Sequence, residues 1–107
     1  MEITPGTKLY SVATGRIDPL MESSVKAIQF VKKRRGFVGV QATEDGNFTL
    51  WLFDTIENAI GARTQMRYRG IAVGKNICEF EVEDDETISF KGVAAGKDKG
   101  KGYENYH

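Results

Sequence analysis

Few side chains in this sequence belong to types that do chemistry unaided, and their spacing limits what they can do. Cys78 is the single cysteine and His107 the single histidine. One thiol can form neither an internal disulfide nor a multi-cysteine metal site. Cys78 also alternates with Phe80 and Val82, so it reads as a buried, unreactive group on an apolar strand face. A nucleophilic cysteine needs a base beside it, and His107 falls in a glycine-rich stretch expected to be mobile. The acids Glu79, Glu81, Glu83, Asp84, Asp85 and Glu86 lack the D-x-[DN]-x-[DN]-G spacing that wraps calcium. They read as a solvated strand face and turn whose like charges discourage stray strand pairing. Gly70-x-x-x-Gly74-Lys75-Asn76 and Gly92-x-x-x-Gly96-Lys97-Asp98 are each one residue short of a phosphate-binding loop and lack its Ser or Thr. No catalytic residue, metal ligand or cofactor is therefore expected, and the chain reads as a non-enzyme. The acids and bases left to a small-molecule enzyme or carrier would be Tyr10, Tyr68, Asp54 and Glu57.

Binding chemistry is better represented. Lys32-Lys33-Arg34-Arg35 is the densest basic run, and at a helix C-terminus such cations oppose the negative end of the macrodipole. With Arg63 and Arg67 they form the candidate set for tracking phosphates, next to Phe37 and Trp51 as stacking surfaces. Arg34-Arg35-Gly36-Phe37-Val38-Gly39-Val40 resembles the core of the RNA-recognition motif, K/R-G-F/Y-G/A-F-V-x-F/Y. It departs from that family in following the first helix instead of preceding the second, and in placing Val38 at a stacking position. Fifteen Lys and Arg balance fifteen Asp and Glu, so the chain is not a generically basic coat. The charges are nevertheless segregated. Residues 26–75 carry nine bases against the four acids Glu44, Asp45, Asp54 and Glu57, whereas residues 76–90 carry six acids and no base. That division suits self-complementarity or a partner with one basic and one acidic patch.

These residues must be positioned by a small set of elements. Residues 7–17 are rich in β-branched and aromatic types and predict a strand. Asp18-Pro19 supplies an N-cap and an N1 proline. The stripe Met21, Val25, Ile28 and Val31 or Lys32 then predicts a helix to about Arg35, closed by Gly36 at C′. Residues 37–43 and 47–53 flank Glu44-Asp45-Gly46 and predict a hairpin. Asp54-x-x-Glu57 starts a second helix, with Ile56, Ala59, Ile60 and Met66 on its apolar stripe, Arg63 and Arg67 on another face, and Gly70 as its stop. Residues 77–83 alternate cleanly, and 87–91 return with Ile88 and Phe90 inward. Residues 92–107, scattered with glycine and charge, predict a flexible tail after a single α+β domain of residues 1–91.

The order β-α-β-β-α-β plus a C-terminal hairpin strand predicts a ferredoxin-like split βαβ sandwich, an antiparallel sheet with both helices on one face. The strand 47–53 is apolar on both faces. Phe48, Leu50 and Leu52 are expected to face the helices, which leaves Trp51 and Phe53, with Phe37, as an interface on the open face; Gly39 would make room for the indole. The leading functional expectation is a non-catalytic interaction module that forms a homodimer through that face and recruits a macromolecular partner. The alternatives are a single-stranded nucleic-acid binder and a dimeric small-molecule-binding protein or enzyme. No apolar run reaches the roughly 18–20 residues of a membrane span, and Met1-Glu2-Ile3-Thr4-Pro5-Gly6 lacks the basic start of a signal peptide. With the lone cysteine, this predicts a cytoplasmic protein without membrane contact.

Overall fold

The computed structural model describes residues 4–15, 29–42, 48–84 and 87–95, with the backbone alone at 31–34. Its elements are β1 (Lys8–Gly15), β2 (Gln29–Arg34), β3 (Phe37–Ala42), β4 (Phe48–Phe53), α1 (Ile56–Tyr68), β5 (Ile77–Val82) and β6 (Ile88–Ala95). The fold is α+β: one six-stranded sheet in the order β2-β3-β4-β1-β5-β6, antiparallel throughout, with one helix among the described residues. No helix among those residues is long and apolar enough to cross a membrane.

The first predicted helix is corrected over residues 29–34, which form edge strand β2; the rest of that prediction, 18–28, lies outside the described residues. Three to four apolar residues at helical spacing do not settle so short a segment, because pairing with a neighbour can outweigh intrinsic preference. Here Phe30 pairs with Gly39. A Cβ on Gly39 would sit 3.0 Å from the Gln29 carbonyl and 3.3 Å from Phe30 Cδ1. The glycine expected to accommodate Trp51 thus accommodates Phe30 and its strand. Gly36 does adopt positive φ, but as part of a two-residue hairpin and not as a helix stop. Arg35 (φ 54°) and Gly36 (φ 82°) both lie in the left-handed region, as a type I′ turn requires. Arginine is a poor residue there, whereas asparagine enters that region readily. Arg35→Asn is expected to stabilise the fold by about 1 kcal/mol, read as a higher denaturant midpoint.

Helix α1 matches its predicted place, with one shift at the start. Thr55, not Asp54, is the N-cap: its Oγ1 accepts from the Asn58 backbone N–H at 3.1 Å. Asp54 Oδ1 instead accepts from Asn58 Nδ2 at 2.8 Å. The helix ends in a Schellman arrangement, Gly70 N–H to Arg67 O and Ile71 N–H to Met66 O, both 2.9 Å, with Gly70 at φ 81°. Strand β6 runs four residues beyond the predicted boundary at Lys91. Its last residue, Ala95, pairs with Ile77 and is fully buried.

The larger correction concerns the sheet faces. Register pairs Tyr10 with Phe53 and Val12 with Trp51 across β1 and β4, and Phe37 with Phe53 and Val40 with Trp51 across β3 and β4. This is the face that α1 covers: Val12, Phe53, Ala59, Ile60, Ile77 and Ala95 form one buried cluster, flanked by Tyr10, Phe37, Trp51, Ile56, Ala62 and Met66. The opposite face has its own buried cluster, Leu9, Val38, Leu52 and Val82, backed by Phe30, Phe80 and Ile88. Trp51, Phe53 and Phe37 therefore lie beneath the helix and not on an open face. Alternation separates Leu52 from Trp51 and Phe53, but two apolar sets cannot say which one meets the helix. The small residues Ala59 and Ala62 let α1 lie over the bulky aromatic set.

Candidate docking groove

Between α1 and strands β3–β4 two hollows of about 280 and 580 Å³ adjoin and share Arg35, Ala62 and Gln65. Phe37, Phe53, Trp51 and Met66 form their apolar lining, Asn58 and Gly61 close one end, and Ile71 and Arg69 border the other. The Phe37 ring stands 5.8 Å from Trp51 and 5.7 Å from Phe53, in tilted contacts. Trp51 is anchored by its indole N–H, which donates to Thr14 Oγ1 at 2.7 Å. Among the described residues, every charged side chain on the lining, Arg35 and Arg69, is a cation. Ile71 is 45% exposed at the groove end.

The structure brings the three predicted interface aromatics together with Arg35, one member of the predicted basic set. The other members part company. Lys32, Lys33 and Arg34 occupy β2, where the backbone alone is described. Arg67 is exposed on α1. Arg63, expected on a solvent face, is 1% exposed and its Nη1 donates to the Lys75 carbonyl at 2.6 Å. Buried there, it stands apart from the exposed Arg67 of the expected set.

Sequence reasoning missed Ala62, Gln65, Met66 and Ile71 as groove residues, because lining depends on how the helix lies across the sheet. Gly61 did leave a signal, a glycine inside a helix. A Cβ there would meet nothing within 4 Å, so packing does not require the glycine. Gly61→Ala is expected to stabilise the fold by about 0.5–1 kcal/mol, measured by denaturant unfolding.

Other chemistry-bearing residues are scattered or pacified. Tyr10, Asp54 and Glu57 border a shallow hollow of about 220 Å³ at the start of α1. Burial, then the nearby Glu79 carboxylate, raises the Tyr10 phenol above its ordinary pKa. Tyr68 stands apart at the far end of α1, 86% exposed. Lys8 Nζ lies 3.3 Å from Glu79 Oε2, an exposed pair of small energetic weight. Among the described residues no group of three or more His, Cys, Asp or Glu could hold a metal ion. Burial raises the Cys78 thiol pKa, offset in part by a hydrogen bond with Ser11. The thiolate is the reactive form, so Cys78 is expected to react with a chromogenic disulfide much more slowly in the native protein than in urea at neutral pH. Compared with known proteins, the chain matches no protein-family model, no curated protein and no solved structure.

Proposed function

We propose that the chain is a small non-catalytic interaction module whose partner site is the groove between α1 and β3–β4. Its ligand is an acidic segment of a macromolecular partner carrying an apolar side chain. The observation that carries this reading is the groove's composition: an apolar aromatic floor whose charged lining residues, Arg35 and Arg69, are both cationic. Such a surface attracts carboxylates at its rim while removing apolar area from water at its centre. The middle of the sheet supports reading the scaffold as an elaborated ferredoxin-like unit. β4 and β5 are joined through α1 and flank β1, to which both are antiparallel; that is the split crossover of such folds.

Trp51 is the chain's only tryptophan, and its place in the groove makes it the probe. A tryptophan-free acidic peptide with a central Phe or Leu is expected to change its fluorescence saturably at low salt and less at high salt. Arg35→Glu should abolish the change, and so should Gly61→Leu, which fills the groove from an open position on the helix. A flat titration at low salt with wild-type protein would refute the reading.

Single-stranded nucleic acid is the second reading, favoured by Arg35 lying beside Phe37 and Trp51. Half-burial of both rings and their mutual tilted contacts leave little flat surface for a base, which is why the acidic peptide is preferred. Quenching by a mixed-sequence oligonucleotide without any response to the peptide would reverse the order. Self-association is proposed through the face opposite α1, where Phe90 is 60% exposed next to Phe80; light scattering across concentration tests it. A cytoplasmic setting fits the lone thiol.

A further inference from the structure

We propose that Arg63 is the receptor of a two-oxygen anion, a carboxylate or phosphate, held on the Nε–Nη2 edge of its guanidinium. The side chain is 1% exposed. Its Nη1 donates to the Lys75 carbonyl at 2.6 Å, which fixes the orientation of the planar group. Nε and Nη2 are both buried and have no hydrogen-bond partner. Those two atoms are not a random remainder. They carry the parallel N–H bonds on one edge of the fork, the edge that matches the two oxygens of a carboxylate or phosphate.

The energetics point the same way. Among the described residues no carboxylate pairs with Arg63, and an uncompensated buried charge is strongly destabilising. Burial lowers the Arg63 pKa, and like-charge repulsion from Arg67, one helical turn away, adds to it. An anion on the unpartnered edge would satisfy both orphan donors and offset that repulsion together. An arginine whose only role was to hold the α1–β5 loop through the Lys75 carbonyl would need just one of its nitrogens.

The same chemistry has two sources. One is a small anion from solution. The other is the chain itself: β6 ends at Ala95, whose partner Ile77 lies two residues from Lys75, and Asp98 and Glu104 follow in sequence. Asp98 is three residues beyond Ala95, a reach of about 10 Å of extended chain. This proposal is independent of the groove, on whose lining Arg63 does not appear.

The experiment follows thermal unfolding of the full chain in phosphate against chloride at matched ionic strength, for wild type, Arg63→Met and Arg63→Lys. Arg63→Lys keeps the charge and loses the fork, and it carries the test should Arg63→Met fail to fold. For a small anion, the wild-type Tm climbs with phosphate concentration as mass action requires, and both variants lose the response. For the chain's own carboxylate, phosphate leaves the wild type unchanged, while Asp98→Asn with Glu104→Gln lowers its Tm and has no further effect in the Arg63→Lys background. Two results overturn the proposal: a phosphate response that is unchanged in Arg63→Lys, or no response to phosphate together with no effect of the acid substitutions. Loss of peptide binding by the groove variants would leave this outcome untouched.

Discussion

Trp51→Ala is expected to lower the unfolding free energy by about 3 kcal/mol, and by the same amount at every protein concentration. The magnitude sits at the low end of the range for removing a buried tryptophan, because the indole is half-buried at the groove. Three losses contribute. The side chain leaves the cluster under α1. The ring contact with Phe37 disappears. Thr14 Oγ1 loses the indole N–H that donated to it at 2.7 Å. Urea unfolding at two widely separated protein concentrations checks the claim. A wild-type midpoint that rises with concentration, and a mutant midpoint that does not, would return Trp51 to an intermolecular interface.

Gly36→Ala is expected to cost about 2–4 kcal/mol, from two separable causes. The backbone at φ 82° lies where a Cβ is penalised. The new methyl would also collide with Asn58, with its Nδ2 and, at 2.6 and 2.7 Å, its Cγ and Cβ, so the asparagine must move, and it is tied to Asp54 at the start of α1. The Gly36 carbonyl accepts from the Asp54 N–H at 2.9 Å, so the β2–β3 turn is clamped to the helix start and has little freedom to yield. A double-mutant cycle with Asn58→Ala measures the share that the asparagine amide contributes. Truncation should recover that share only, because the Asn58 Cβ remains 2.7 Å from the new methyl; what is left includes a backbone penalty of about 1–2 kcal/mol. A fully neutral Gly36→Ala would mean that the hairpin turn is not formed as described.

Arg35 and Gly61 connect stability to function. Both are poor choices for the backbone they occupy, an arginine at positive φ and a glycine inside a helix, and both line the proposed groove. Arg35→Asn and Gly61→Ala should each yield a more stable protein, while Arg35→Glu and Gly61→Leu should each close the groove to an acidic ligand. A residue that is unfavourable for its backbone yet lines a binding site is the pattern expected when function holds it in place.

Local pattern alone was enough for several elements. The alternation of residues 77–83 located β5, the apolar stripe with Gly70 bounded α1 to within a residue or so, and Asp-Gly between two apolar runs separated β3 from β4. Each rests on interactions between near neighbours in sequence, which is why it could be read there. Residues 29–34 could not. Their apolar spacing extends a helical stripe, yet Phe30 is placed by Gly39 on a neighbouring strand, a partner that sequence spacing does not reveal. Trp51 shows the same limit on the scale of a face: alternation set it apart from Leu52, but only the path of α1 across the sheet decided which set it would cover. Arg63 is the sharpest case. Its place on α1 was legible, but its burial, its bond to the Lys75 carbonyl and the two donors left without a partner come from the helix, the following loop and the sheet meeting around one side chain. No periodicity encodes that meeting, because it depends on the packing angle of elements far apart in the chain.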